Sequence, residues 1–229
     1  MCRNVAKLSI VGTGPGSPDY VTPAARKTVK DAQIVIGAER SLILFREDIK
    51  GESLTLTAKN LDDALNYAVD SAKAGKSVAV LSTGDPGFSG LLGSVLKRTN
   101  SRHVEIAVIP GVSSVQACAA ALQMCWDEVS LFSFHDVASS EKRIALAKAV
   151  KAGKDVVLIP NPKVFTPRMI SSFLLKNGAD KATPVVICEN ITLSDERIVQ
   201  TTLENAAQQD FEPMCVMVIK SSSKMKMRD

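Results

Sequence analysis

Short apolar runs rich in β-branched residues alternate along this chain with longer stretches whose apolar positions recur every three or four residues. Lys7 to Val11 (KLSIV) reads as a buried strand, and Ile34 to Ile36 as a second, ended by Gly37. Ser77 to Leu81 and Val104 to Ile109 read as two more, with His103 at the exposed start of the latter. Between them, Thr22-Pro23 opens a helix. Threonine caps free N–H groups there, and proline in the first position lacks an N–H that would be unsatisfied anyway. Asn60 is placed to cap a helix running to about Ala74, with Leu61, Ala64, Leu65, Ala68 and Ala72 on one face. The loop STGDPG precedes a further helix through Leu96.

The second half keeps the rhythm without repeating the sequence. Ser113 or Ser114 starts the small-residue helix VQACAAAL, and Val129 to Phe134 is a strand. Glu141 to Val150 is a helix, Asp155 to Ile159 a strand ended by PNP, and Thr166-Pro167 a second capped start. Pro184 to Cys188 and Met214 to Ile219 are strands, and Arg197 to Thr201 fits another. Such alternation predicts an α/β protein with largely parallel sheets. The break at Pro110-Gly111 divides it near the middle. The expected organisation is two α/β domains, 1–111 and 112–220, with a cleft between them and a flexible tail at 221–229.

Composition narrows the functional classes. The chain has 229 residues, 45% apolar and 23% charged, ordinary for a globular protein. Its net charge is +4, and the tail holds Lys224, Lys226 and Arg228 against Asp229. The body is therefore near neutral. With aromatics at 4% and a single Trp126, a basic, base-stacking nucleic-acid surface is not expected. Five cysteines (Cys2, Cys118, Cys125, Cys188, Cys215) are odd in number and none forms a CxxC pair, which fits a reducing compartment. Cys118, Cys188 and Cys215 lie in apolar runs and read as core fillers. No run approaches the roughly 20 apolar residues that span a bilayer, and the start has no signal-peptide stretch. A cytoplasmic protein without membrane partners is expected.

Open α/β sheets bind ligands beyond the carboxyl ends of their strands, so the loops there carry the candidate chemistry. Gly12-Thr13-Gly14-Pro15-Gly16-Ser17-Pro18 invites a dinucleotide reading, but the third glycine of G-x-G-x-x-G would fall on Ser17. Pro15 and Pro18 also remove two N–H groups from any phosphate nest. This loop reads either as a bare sharp turn or as a stiff ligand edge. In Ser82-Thr83-Gly84-Asp85-Pro86-Gly87-Phe88, Gly84 and Gly87 permit close backbone approach. Asp85 reads either as an N-cap carboxylate or as one facing a polar or cationic ligand. Pro110-Gly111-Val112-Ser113-Ser114 places two hydroxyls at a helix start, one more than capping needs. Pro160-Asn161-Pro162-Lys163, Glu189-Asn190-Ile191-Thr192 and Phe211-Glu212-Pro213-Met214 complete the set.

Taken in order, GTGPGSPDYVT, STGDPGFSG, IPGVSSVQ and ICENIT resemble the tetrapyrrole methylase family, S-adenosylmethionine-dependent enzymes that methylate corrin and sirohaem precursors. The resemblance runs from about Leu8 to Ile219. VGTGPGSPDYVT, the Trp126-containing turn after IPGVSSVQ, and LFSFHD are most similar to the branch methylating C5 of cobalt-precorrin-7 in cobalamin biosynthesis. The resemblance implies two α/β domains with S-adenosylmethionine in the cleft, and a homodimer. It also implies cofactor contacts at Pro15, Gly84, Asp85, Phe88, Ser113, Ser114, Pro160 and Asn161, with Glu189 and Met214 near the adenine. Some members carry an acid directly after Gly16, where this chain has Ser17 and then Asp19.

The implied reaction is an in-line displacement at a sulfonium methyl, with the acceptor carbon held at about 3–3.5 Å. An electron-rich conjugated ring attacks without a strong base, so no nucleophile–base pair is demanded and no catalytic residue is assigned. A corrin precursor carries many carboxylates, for which Arg40, Lys59, Lys163 and Arg168 are candidate partners, and His135 stands at a strand end. No His/Cys cluster has metal-ligand spacing, so the only metal expected is the acceptor's own. The alternatives are a relative acting on another tetrapyrrole, on ribosomal RNA or on a diphthamide precursor, and a non-catalytic binding protein of the same fold.

Overall fold

The computed structural model describes residues 7–99, 104–136 and 139–221. Cys2, His103 and residues 222–229 of the expected tail lie outside the described residues; Ser221, its first residue, is instead buried and donates its N–H to Asp155 Oδ1 at 2.7 Å. The chain divides into two compact units, Met1–Ser113 and Ser114–Asp229.

In the first unit, β1 (Lys7–Gly12), β2 (Ile34–Gly37), β3 (Glu52–Thr55), β4 (Val78–Ser82) and β5 (Glu105–Ile109) form a sheet in the order β3-β2-β4-β1-β5. Every neighbouring pair is parallel. The central strands are buried on both faces, which is why they read as unbroken apolar runs. Leu8, Ile10, Ile34, Ile36, Val78 and Val80 pack against Ala64, Leu65, Ala68 and Ala72 of α3 (Leu61–Lys73). Val11, Val35, Ala79 and Leu81 face the other way, onto Phe45 and onto Ala25 and Val29 of α1 (Pro23–Lys30). The Thr22 hydroxyl accepts from the Ala25 N–H at 3.1 Å, so the predicted cap forms.

Three features depart from the pattern reading. β3 and α2 (Glu39–Leu44) were not legible, because β3 is a largely exposed polar edge strand and α2 is short. α4 (Leu92–Leu96) is confined to the end of its predicted span, since the chain stays in a loop up to Leu91. Asn60 stands in the N-cap position but forms no side-chain cap bond. Its amide turns back instead, Oδ1 accepting from Thr57 N at 2.7 Å and Nδ2 donating to Thr55 O at 2.9 Å.

The second unit contains α5 (Ser114–Ala121), β6 (Ser130–Ser133), α6 (Ser140–Lys151), β7 (Val156–Ile159), α7 (Pro167–Lys176), β8 (Pro184–Glu189), β9 (Arg197–Thr202), α8 (Leu203–Ala206) and β10 (Cys215–Ile219). The sheet order is β6-β7-β10-β8-β9. Here the expectation of largely parallel strands fails. Only β6 and β7 run parallel, whereas β10 opposes both its neighbours and β9 opposes β8. The reversal at β9 follows from a turn too short for a helical crossover, which a parallel return requires. The core gathers Phe134, Leu146, Leu158, Phe165, Ile170, Leu174, Ile187 and Met217. Cys118, Cys188 and Cys215 are buried, as their apolar runs predicted. Among the described residues no helix is long and apolar enough to cross a membrane.

Candidate active site

In the first unit, the parallel order β4-β1-β5 brings three loops to one sheet edge, each beginning where its strand ends. They are fastened to one another through the main chain. Thr13 N donates to Ser82 O at 2.9 Å, Gly84 N to Gly14 O at 2.8 Å and Gly14 N to Gly84 O at 3.4 Å. The approach is so close that only glycine fits at two points. A Cβ on Gly12 would stand 2.4 Å from Gly111 N, and one on Gly111 would stand 2.4 Å from Gly84 O. These glycines therefore place backbone against backbone where any side chain would wedge the loops apart.

Asp85 is the side chain that ties this arrangement. Oδ1 accepts from Gly87 N at 2.8 Å and Oδ2 from Gly111 N at 3.2 Å. It is not an N-cap, because α4 begins only at Leu92. Its carboxylate instead closes its own turn and holds the Pro110-Gly111 loop. The Ser82 hydroxyl accepts from Leu91 N at 3.1 Å, fixing the far end of the same loop. Pro15, Gly84 and Ser113 are buried at this edge, while Asp85 and Phe88 are partly buried. Gly84 has φ +68°, and a Cβ there would meet only the Ser113 Cα, at 3.8 Å, so the space over this glycine is open. That room lies beside backbone, and the nearby Asp85 carboxylate is already committed to Gly87 N and Gly111 N, so it suits a ligand held by main-chain contacts and not by charge. Arg40 reaches this loop by donating to the Thr83 hydroxyl at 3.2 Å, and Lys59 is exposed on the loop after β3. Ser17 accepts from Asp19 N at 3.3 Å, starting a short 3-10 turn, Pro18–Tyr20.

The second unit assembles its candidates by strand reversal. Because β10 runs against β7 and β8, its amino end lies beside their carboxyl ends, with Cys215 opposite Glu189. Met214, Glu189, Pro160 and Asn161 thus share one sheet edge although two of their strands point the other way from the third. Asn161 spends its whole amide on structure. Oδ1 accepts from Lys163 N and Val164 N, both at 2.9 Å, and Nδ2 donates to His135 O at 3.0 Å and Asp136 O at 3.2 Å. Ser114 begins α5, which packs on β7 and β10. Lys163 is exposed, and Arg168 lies 3.4 Å from Asp210. His135 is exposed beside Asp136, at 3.6 Å.

Glu189 is fully buried. It accepts from Arg197 Nε and from Glu212 N, the latter at 2.8 Å. Burial is the largest single influence on its carboxyl and acts to raise its pKa. The Arg197 hydrogen bond, the Glu212 N–H and the Arg197 charge together outweigh it, so the group titrates below the usual carboxylate range. With Asn190 N donating to Met214 O at 2.9 Å, Glu189 clamps the segment that leads into β10. Sequence reasoning did not single out Arg197. The signal lay in the β8–β9 hairpin register, which sets Arg197 opposite Glu189. Nor did it pair Cys118 with Cys188, whose sulfurs lie 2.9 Å apart across 70 positions. Burial, with the Glu189 charge behind it, pushes the Cys215 thiol up to about 12. Among the described residues no group of three His, Cys, Asp or Glu side chains is placed to hold a metal ion.

The family of tetrapyrrole (corrin/porphyrin) methylases matches residues 7–207. A probable cobalt-precorrin-7 C(5)-methyltransferase from Methanocaldococcus jannaschii is 35% identical over 219 residues, covering 95% of this chain and all of that protein. A solved cobalt precorrin-4 methyltransferase is 26% identical with a TM-score of 0.76, covering 96% of this chain and 97% of that one. A uroporphyrin-III C-methyltransferase from Thermus thermophilus, solved with S-adenosylhomocysteine, has a TM-score of 0.76. At 24% identity over 93% of this chain and 97% of that one, the likeness is one of fold.

Proposed function

Since the chain belongs to the tetrapyrrole methylase family, we propose that it transfers a methyl group from S-adenosylmethionine to C5 of cobalt-precorrin-7 in cobalamin biosynthesis. It is an S-adenosylmethionine-dependent methyltransferase. The observation that carries the choice of acceptor is the match along the full length of the probable cobalt-precorrin-7 C(5)-methyltransferase.

The donor, when bound, supplies an electrophilic methyl on sulfur. The chain's own task is to orient two partners. In the first unit the backbone around Gly84, held by Gly14 and Asp85, offers amides and carbonyls to the donor, with Pro15, Phe88 and Ser113 beside it. In the second unit Ser114, Pro160, Asn161, Glu189 and Met214 are assigned to the same donor. Glu189 acts there by holding the main chain from Glu212 to Met214. Asn161 contributes backbone and shape, since its side-chain amide is already committed. No strong base is required, because a conjugated ring carbon attacks and its proton leaves to water. The remaining assignments are a homodimer acting in the cytoplasm, on a corrinoid and not on nucleic acid or a membrane.

The test is incubation with methyl-labelled S-adenosylmethionine and a set of corrin intermediates, with the label located by NMR. Label at C5 is expected. Label at C11, transfer only to uroporphyrinogen or to RNA, or donor binding without transfer would each replace this reading with the corresponding alternative.

A further inference from the structure

The second unit's three described arginines are Arg143, Arg168 and Arg197. Arg197 is engaged by Glu189 and Arg168 by Asp210. Arg143 has no ion pair among the described residues, and its Nε is shielded from solvent with no hydrogen-bond partner. A buried N–H without an acceptor is rare in native proteins and calls for an explanation.

Its setting makes the vacancy specific. Arg143 lies one turn into α6, behind the Ser139 cap, on the same stripe as the core residues Leu146, Ala147 and Val150. A cation this close to a helix N-terminus is opposed by the helix dipole. The guanidinium carbon sits 4.4 Å from the centroid of the Phe165 ring. Phe165 is buried and braced edge-on by Phe134 at 4.9 Å and by Phe173 at 5.8 Å. The cation therefore rests on a fixed aromatic plate, which orients its fork before any ligand arrives. As the residue is only partly buried while Nε is shielded, its accessible surface lies on its other atoms.

The plate also locates Arg143 relative to the proposed donor contacts. Phe165 O accepts from Asn161 N at 3.2 Å, and Asn161 holds the carbonyls of His135 and Asp136 on the way to α6. The neighbouring charges are accounted for. Lys142 donates to Ser133 O at 2.8 Å, Asp136 stands beside His135, and Glu141 is exposed.

We infer that Arg143 anchors a carboxylate arm of the acceptor. The inference rests on the corrin-methylating reading, since that acceptor class carries acetate and propionate arms. A carboxylate meeting the accessible part of the stacked guanidinium would supply the ion pair that Arg143 lacks among the described residues and offset the helix-end charge.

The experiment titrates wild type, Arg143→Met and Arg143→Lys with two probes, followed by visible absorbance. Cobyrinic acid carries its arms as carboxylates, and dicyanocobinamide carries them as amides. S-adenosylhomocysteine affinity is measured in parallel by calorimetry. Arg143→Met is expected to bind cobyrinic acid at least about tenfold more weakly, with dicyanocobinamide and S-adenosylhomocysteine unaffected. Arg143→Lys keeps the charge and the stem, yet is expected to recover only part of the loss, because it lacks the fork. Unchanged cobyrinic acid binding in both variants, or equal losses for both corrinoids, overturns the assignment while leaving the proposed function standing. If wild type binds S-adenosylhomocysteine but neither corrinoid, the corrin reading itself fails and takes this inference with it.

Discussion

A carboxylate buried at a candidate site invites a catalytic role, yet Glu189 and Asp85 both serve to hold main chain in place. Each gives its two oxygens to different partners, and each thereby fixes a loop that has no regular structure of its own. For Glu189 the consequence is a pH dependence whose sign follows from its partners. Its folded-state pKa is lowered, so its contribution is present in full above the unfolded carboxylate value of about 4.3 and is lost as pH falls through the lower folded value. Glu189→Gln keeps an acceptor for Glu212 N but loses the charge. Because Arg197 is 61% exposed, water screens much of that loss, and the variant is expected to be less stable by about 1 kcal/mol at pH 7. Denaturant titrations at pH 7, 5 and 3 check this. The gap between wild type and variant should be widest at pH 7 and narrow toward pH 3, and a gap that grows on acidification would contradict the assignment. These residues also mark how far sequence reading reaches at this scale. Glu189 and Asp85 were legible as polar groups at strand ends. What they bind was not, because Gly111 and Arg197 are brought to them only by strand pairing.

At the scale of elements, legibility followed burial. The strands with unbroken apolar runs were found, and the Thr22 and Thr166 caps form on Ala25 and Met169 as their threonine-proline pairs predicted. β3 escaped because an exposed edge strand carries no apolar pattern. The mixed second sheet escaped because strand direction is set by connection length and packing, neither of which leaves a periodicity. That loss mattered for the site: only the reversed β10 explains how Met214 reaches the edge that holds Asn161 and Glu189. The loops of the first unit depend on something subtler, the absence of two methyl groups. Gly111→Ala forces a Cβ to within 2.4 Å of Gly84 O, and overpacking of this kind costs about 1–3 kcal/mol. Gly93, inside α4, would place its Cβ in open space, and Gly93→Ala should stabilise by about 0.5–1 kcal/mol through the backbone alone. Calorimetric titration with S-adenosylhomocysteine is then expected to show Gly93→Ala unchanged and Gly111→Ala weakened at least about tenfold, since the second change moves the backbone at Gly84. Equal affinities for the two variants would show that the Gly12, Gly84 and Gly111 contact lies away from the donor.

At the scale of the whole molecule, the cysteines report whether the proposed donor stabilises the second unit. Cys118, Cys188 and Cys215 are buried in the second unit, whereas Cys125 is exposed there. Cys118 and Cys188 join α5 to β8, and Cys215 begins β10. Their labelling by a maleimide therefore requires opening of the sheet that carries Asn161, Glu189 and Met214, while Cys125 labels without it. A ligand that binds only the closed form lowers the open population by a factor of about 100 at 100 times its Kd. If the second unit contacts the donor as proposed, saturating S-adenosylhomocysteine should slow labelling of the three buried thiols by about that factor at such an excess and leave Cys125 unaffected. Mass spectrometry of peptides after timed pulses separates the four sites. Should the ligand bind by calorimetry yet leave all the labelling rates as they were, the donor would be held by the first unit's glycine loops alone, and Asn161, Glu189 and Met214 would return to the structural roles their hydrogen bonds already describe.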